Sequence, residues 1–167
     1  MYAVSEKRIV AWDMVMDTGV KATFFCSQRF ATQIIKQKRG RGKIINIVSV
    51  GGHVGTPNYA AYGASKAGML QLTRALAVEW IRHNINVNAV SPGVTLTPRI
   101  ERETKEHPEF FKPYFERIPA RRAAAPEDIA NAVSFLASSD ADHIVGQVII
   151  VDGGVLALHP GYVWPEQ

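Results

Sequence analysis

Tyr62 and Lys66 stand four residues apart in a stretch whose apolar spacing predicts a helix, so their side chains share one face. A free phenol has a pKa of about 10, and a neighbouring cation favours the phenolate, so a tyrosine–lysine pair is suited to proton exchange. The spacing alone is a weak signal; context strengthens it. Ser49 closes an Ile- and Val-rich run 13 residues before Tyr62. Pro92-Gly93 closes the next such run and is followed by Thr95 and Thr97. In an open parallel sheet, ligands bind outside the carboxyl ends of the strands, and both segments sit at such ends. Plainer readings stand beside these: Ser49 as a hydroxyl capping a turn, and Lys66 as a solvated helix lysine.

These residues need elements to hold them. Residues from about Ala11 to Gln37 read as one long helix, with Val15, Phe24, Ile34 and Ile35 near one face and Gly19 interrupting it. Lys43–Ser49 reads as a buried strand between Gly42 and Gly51. Asn58–His83 reads as a second long helix with apolar positions at Ala61, Ala64, Leu72, Leu76 and Val78, and Asn84 suits its C-terminal cap. Ile85–Ser91 is the next strand. Thr97–Ala125, broken by Pro98, Pro108, Pro113 and Pro119, reads as an irregular excursion with short helices, of the kind used as a lid. Pro126 opens another helix, with Ile129, Val133, Leu136 and Ala137 as its stripe, and Gly146–Asp152 is a third strand. Strand–helix–strand alternation implies right-handed crossovers: an α/β fold, a parallel sheet with helices on both faces.

The chain has 167 residues, 47% hydrophobic and 20% charged, which describes one globular domain and excludes a low-complexity polymer. One cysteine, Cys26, excludes a disulfide framework or multi-cysteine metal site within it. No apolar run is long enough for a membrane span, so no membrane partner is expected and the cytoplasm is the default location. The net charge is +4, with a basic cluster at Lys36–Lys43. No aromatic residues interleave with it, so it reads as cations at a helix C-terminus rather than as a nucleic-acid groove, and no nucleic-acid partner is expected.

Taken together, Ile44-Ile-Asn-Ile-Val-Ser49, Tyr62-Gly-Ala-Ser-Lys66-Ala-Gly, Asn86-Val-Asn-Ala-Val-Ser-Pro92-Gly93, Pro126-Glu-Asp-Ile-Ala and Gly146-Gln-Val-Ile-Ile-Val-Asp-Gly-Gly154 resemble the short-chain dehydrogenase/reductase family of classical type. Trp12-Asp and Lys21-Ala-Thr-Phe also match, so the resemblance runs from about residue 11 to 155. It implies a partial Rossmann-like, doubly wound parallel sheet of three strands over residues 1–155, followed by a C-terminal tail at 156–167. It implies hydride transfer between NAD or NADP and a small-molecule carbonyl or secondary alcohol. Tyr62 would be the general acid/base, Lys66 would lower its pKa and hold the nicotinamide ribose, and Ser49 would donate to the substrate oxygen. Tyr62, Lys66, Pro92 and Gly93 would contact the cofactor, with Thr95 by its backbone and Thr97 by its hydroxyl. No metal is implied. The family's oligomers imply a homo-oligomer formed through the two long helices.

Two departures are expected to matter. The family's glycine-rich phosphate loop has no counterpart in these 167 residues, since Gly51-Gly52-His53-Val54-Gly55 lacks the Gly-x-Gly-x-x-Gly spacing. A truncated form with impaired cofactor binding and an open edge on the Lys43–Ser49 strand is therefore expected. Gly19 stands where the family pattern Asp-x-Asn-x-Lys carries an asparagine that acts in proton relay. The alternative reading is a non-catalytic dimerisation module. Tyr59 has Gly63 rather than a lysine four residues on, so it reads as packing or a substrate wall. His53 faces substrate or is an exposed loop histidine. Phe110, Phe111, Tyr114 and Phe115 line a pocket or anchor the lid.

Overall fold

Alternate residues of the central strand face opposite layers, and that alternation organises the molecule. The structure is a computed structural model and describes residues 9–38 and 40–159. Its sheet has three parallel strands in the order β1 (Gly42–Ile47), β2 (Ile85–Pro92), β3 (Val148–Val151). Ile85 and Val87 of β2 join Leu76, Ala77 and Trp80 of α3 (Ala60–Trp80) and Ala31 of α2 (Ala22–Gln37) in one core. Val90 points the other way, into a core with Leu136 of α6 (Pro126–Ala137) and Ala141. Helices thus cover both faces, as the alternation predicts. Asn86 and Asn88 reach the Ile144 carbonyl from their Nδ2 atoms at 3.0 and 2.8 Å, and the Gln147 N–H donates to Asn88 Oδ1 at 2.9 Å. Each buried amide is satisfied, and the loop before β3 is tied to β2.

The long first helix is not continuous. α1 (Ile9–Met16) and α2 are joined by a π-helical turn, Asp17–Lys21, centred on Gly19. Ile35 and Val78, expected on buried faces, are exposed, Val78 at 77%. Val78 lies on the side of α3 away from β2, where Leu76, Ala77 and Trp80 make the contact. β1 ends at Ile47, so Ser49 lies beyond the strand. β3 is shorter than expected at both ends. Pro98 and Pro108 open helices rather than break them: they are the first residues of α4 (Pro98–Glu106) and α5 (Pro108–Glu116), where a missing N–H costs nothing. Asn84 takes the left-handed conformation (φ 57°) that ends the turn after α3, and Pro126 is the first residue of α6. Lys38 caps α2, its N–H donating to the Ile34 and Ile35 carbonyls. Arg39 of the basic cluster and the tail at 160–167 lie outside the described residues.

The far end of β1 is held by charge. Asp142 forms an ion pair with Lys43 Nζ at 2.7 Å and accepts a hydrogen bond from Arg41 Nη1 at 3.2 Å. The Lys43 ammonium at 2.7 Å, helped by the Arg41 charge against partial desolvation, holds the Asp142 carboxyl below the usual carboxylate range. A depressed folded pKa means the contribution is fully present above the unfolded value of about 3.9 and is lost as pH falls through the folded value. Asp142→Asn is therefore expected to lower the urea midpoint at about pH 7, with the gap to wild type narrowing as the pH falls below about 3.9. A gap independent of pH contradicts this.

Candidate active site

The chemistry-bearing residues collect where β1 and β2 end. After Ile47 the chain makes one last ladder bond, the Val48 N–H donating to the Val90 carbonyl at 2.9 Å, and the strands then diverge. Ser49 caps the short 3-10 turn Val50–Gly52, its Oγ accepting from the Gly51 N–H at 3.1 Å. That bond uses a lone pair of the hydroxyl, not its proton, so capping a turn and donating to a ligand oxygen are compatible.

The turn packs directly on α3. A Cβ built on Gly51 would lie 3.3 Å from Tyr62 Cε1 and 3.6 Å from Ser49 Oγ. The serine hydroxyl and the phenol ring therefore face each other across one small residue. Tyr62 is 39% exposed, enough for its ring to meet a ligand. Its ring lies edge-on to Tyr59, with centroids 6.2 Å apart, so Tyr59 packs beside it as the mouth's outer wall.

Lys66 is not a solvated surface lysine. Its Nζ donates to the Ile47 carbonyl at 3.0 Å and lies 5.7 Å from the centre of the Tyr62 ring. Burial pulls its pKa below the ordinary lysine value. The ammonium is thus anchored to the last residue of β1, beside the phenol. Behind it, the Ser65 hydroxyl donates to the Val15 carbonyl at 3.3 Å, tying α3 to α1. A Cβ on Gly19 would come within 1.9 Å of Ser65 Oγ. The π-helical turn can press this close to α3 only because position 19 has no side chain; an asparagine there would have to swing the Ser65 hydroxyl off Val15.

On the β2 side, the Gly93 N–H donates to the Val151 carbonyl at 2.9 Å, extending the ladder to β3. Thr95 pairs with Ala124, and its hydroxyl donates to the Gly93 carbonyl at 3.4 Å. Thr97 is the N-cap of α4, its Oγ1 accepting from the Ile100 N–H at 3.3 Å. The signal was in the sequence, a threonine directly before proline and an acidic residue in the first turn. The excursion is anchored mainly by the buried Ile118 and by the Ala120 N–H, which donates to the Gly153 carbonyl at 3.0 Å. Phe111 packs tilted and Tyr114 edge-on against Phe115, with centroids 6.0 and 6.5 Å apart, and Phe115 lines a small cavity with Thr104, Pro108 and Lys112; the Phe110 side chain lies outside the described residues. Burial, with the Asp152 carboxylate as a second cause, pushes the Tyr114 phenol up, so it stays neutral. His53, ambiguous from sequence, shares a 3.1 Å hydrogen bond from its Nε2 with Ser91 Oγ. Among the described residues no cluster of metal-ligating side chains occurs, and no helix is long and apolar enough to cross a membrane.

A family model described as enoyl-(acyl carrier protein) reductase matches residues 3–156. The chain belongs to the short-chain dehydrogenase/reductase family. It is 44% identical to a 2-dehydro-3-deoxy-D-gluconate 5-dehydrogenase of Dickeya dadantii, over 87% of this chain and 57% of that one. It is 39% identical to a 3-oxoacyl-[acyl-carrier-protein] reductase of Thermotoga maritima, over 87% and 57% of the two chains. Among solved structures it resembles an acetoin dehydrogenase of Enterobacter cloacae, at 35% identity and TM-score 0.78, over 92% of this chain and 58% of that one. It also resembles an Agrobacterium tumefaciens protein solved with bound NADP, at 41% identity and TM-score 0.86, over 93% and 61%. The chain thus spans a little under three fifths of the length of the curated relatives named here.

Proposed function

We propose that the protein transfers hydride between NAD or NADP and a carbonyl or secondary alcohol, with Tyr62, Lys66 and Ser49 as its catalytic residues. The observation that carries this is that Ser49 and Tyr62 both lie against Gly51 while Lys66 Nζ, held on the Ile47 carbonyl, lies beside the Tyr62 ring, all at the carboxyl end of β1. The donor set suits the nicotinamide riboside end of a dinucleotide: an ammonium and a phenol for ribose hydroxyls, and the segment from Pro92-Gly93 through Thr95 and Thr97 for the carboxamide. When bound, the nicotinamide supplies or accepts the hydride. In reduction, as the hydride adds to the carbonyl carbon and the C=O π pair moves onto the oxygen, the Tyr62 O–H donates its proton to that oxygen. The Ser49 O–H donates a hydrogen bond to that oxygen as charge builds on it. Lys66, fixed on Ile47, keeps positive charge beside the phenol that has lost its proton. In oxidation the same proton moves from alcohol to Tyr62.

No described segment forms a glycine-rich strand-to-helix loop for the pyrophosphate, so within these residues the cofactor is held by its riboside end. We place its dissociation constant near about 1 mM, against the micromolar values that phosphate contacts give. Saturation-transfer NMR on the chain with NADPH should mark nicotinamide and ribose protons strongly and adenine protons weakly. Lys66→Met should raise the cofactor KM about tenfold or more, the loss of one charge-assisted hydrogen bond. Carbonyl-dependent NAD(P)H consumption at cofactor saturation tests the reading itself; none with any carbonyl class refutes it. We also place a copy-to-copy contact on α1, α2 and α3, which present Trp12, Met14, Phe25 and Val78 to solvent. A cytoplasmic location is part of the same proposal.

A further inference from the structure

Resting on that reading, we infer that His53 is a positioning residue that sets the gap between the turn holding Ser49 and the Pro92–Gly93 turn. The β1–β2 ladder ends at the bond from the Val48 N–H to the Val90 carbonyl. Beyond it one chain enters the Ser49 turn and the other runs through Ser91 to Pro92-Gly93, where β2 is committed to β3. Among the described hydrogen bonds, the only one that joins the two segments past the ladder is His53 Nε2 with Ser91 Oγ, at 3.1 Å.

Each end of this tie belongs to a well-formed segment. Ser91 is fully buried, at 0% exposure. His53 closes the 3-10 turn, its N–H donating to the Val50 carbonyl at 2.9 Å. The turn also rests on α3, Gly51 against the Tyr62 ring and Gly52 against the Lys66 and Ala67 backbone, a contact that sets its height on the helix while the bond to Ser91 sets its distance from β2. The tie also persists whichever ring nitrogen carries the proton, because a serine hydroxyl both donates and accepts. It takes the place of the next ladder bond, which Pro92, having no N–H, cannot donate towards β1. Its loss lets the oxygen-binding hydroxyl drift from the segment that faces the cofactor, and a misplacement of about 1 Å can cost about 100-fold in rate.

The test combines His53→Ala, Ser91→Ala, the double variant and His53→Gln, whose amide nitrogen reaches about as far as Nε2. The expected result is a fall in kcat of about 10–50-fold for each alanine variant, with both KM values within about threefold. The double variant should be no slower than either single one, and His53→Gln should recover to within about threefold. Hydrogen exchange, which needs no turnover, should quicken at both 48–55 and 90–95 in either single variant. Multiplying effects in the double variant, a His53→Gln as slow as His53→Ala, or faster exchange only around the altered residue would overturn the inference. Failure of the dehydrogenase reading is separate: it would show as unchanged turnover in Tyr62→Phe, while the exchange data still decide the tie.

Discussion

Tyr62→Phe is expected to lower turnover about 1,000-fold, within the range a positioned general acid/base contributes, while leaving the thermal midpoint unchanged and weakening cofactor binding only by the one ribose contact of the phenol, about tenfold or less. The reason for the clean separation is geometric. Phenylalanine keeps the ring that packs against Gly51 and meets Tyr59 edge-on, so the mouth retains its shape. Only the proton and its oxygen are removed. The neighbouring Tyr59→Phe serves as the control: Tyr59 has no lysine one helical turn on and should lose less than about threefold. Steady-state kinetics in both directions, with circular dichroism melts, read the result. Turnover by Tyr62→Phe within tenfold of wild type would sink the assignment of the proton to this residue.

Gly52→Ala is expected to damage both stability and chemistry. A methyl at position 52 would lie 2.8 Å from the Lys66 carbonyl carbon, 3.0 Å from the Ala67 nitrogen and 3.1 Å from Leu70 Cδ1. Two of these are backbone atoms of α3, so no rotamer change relieves the overlap; the turn must move off the helix. Overpacking of this kind costs about 1–3 kcal/mol, a fall in Tm of about 3–10 °C for a chain of this size. The displaced turn is capped by Ser49 and packs on the Tyr62 ring through Gly51, so turnover should drop about 100-fold as well. Gly55, three residues further on, has open space around its would-be Cβ, and Gly55→Ala should stay within about 0.5 kcal/mol of wild type. Differential scanning fluorimetry and initial rates on the two variants separate the cases; equal behaviour of both would refute the close-packing account.

The strands and both covered faces were legible because their signal is local. Ile- and Val-rich runs between glycines mark buried strands, Asn84 marks a left-handed stop, and Pro126 marks a helix start. The Tyr62–Lys66 pair was legible for the same reason, since helical spacing alone puts the two on one face. What escaped is tertiary. The anchoring of Lys66 on the Ile47 carbonyl joins residues 19 positions apart, and the His53–Ser91 bond joins residues 38 apart; neither has a local pattern. The π-helical turn escaped because one extra residue shifts apolar periodicity only slightly, and Gly19 reads equally as a tolerated helix glycine. The exposure of Val78 and Ile35 shows the limit of apolar spacing, which locates a helix but not the width of the face it buries.

Because the three strands among the described residues run the same way, no hairpin among these residues starts the sheet. Gly42 finds Ile85 only after 43 residues, and Ala89 finds Val148 only after 59. Each closure costs about 3–4 kcal/mol of chain entropy before any pairing rewards it. The nascent chain therefore waits on long-range encounters, with the apolar β1 uncovered in the meantime, and its yield in a cell should depend on growth temperature and on chaperone supply more steeply than its final stability would indicate.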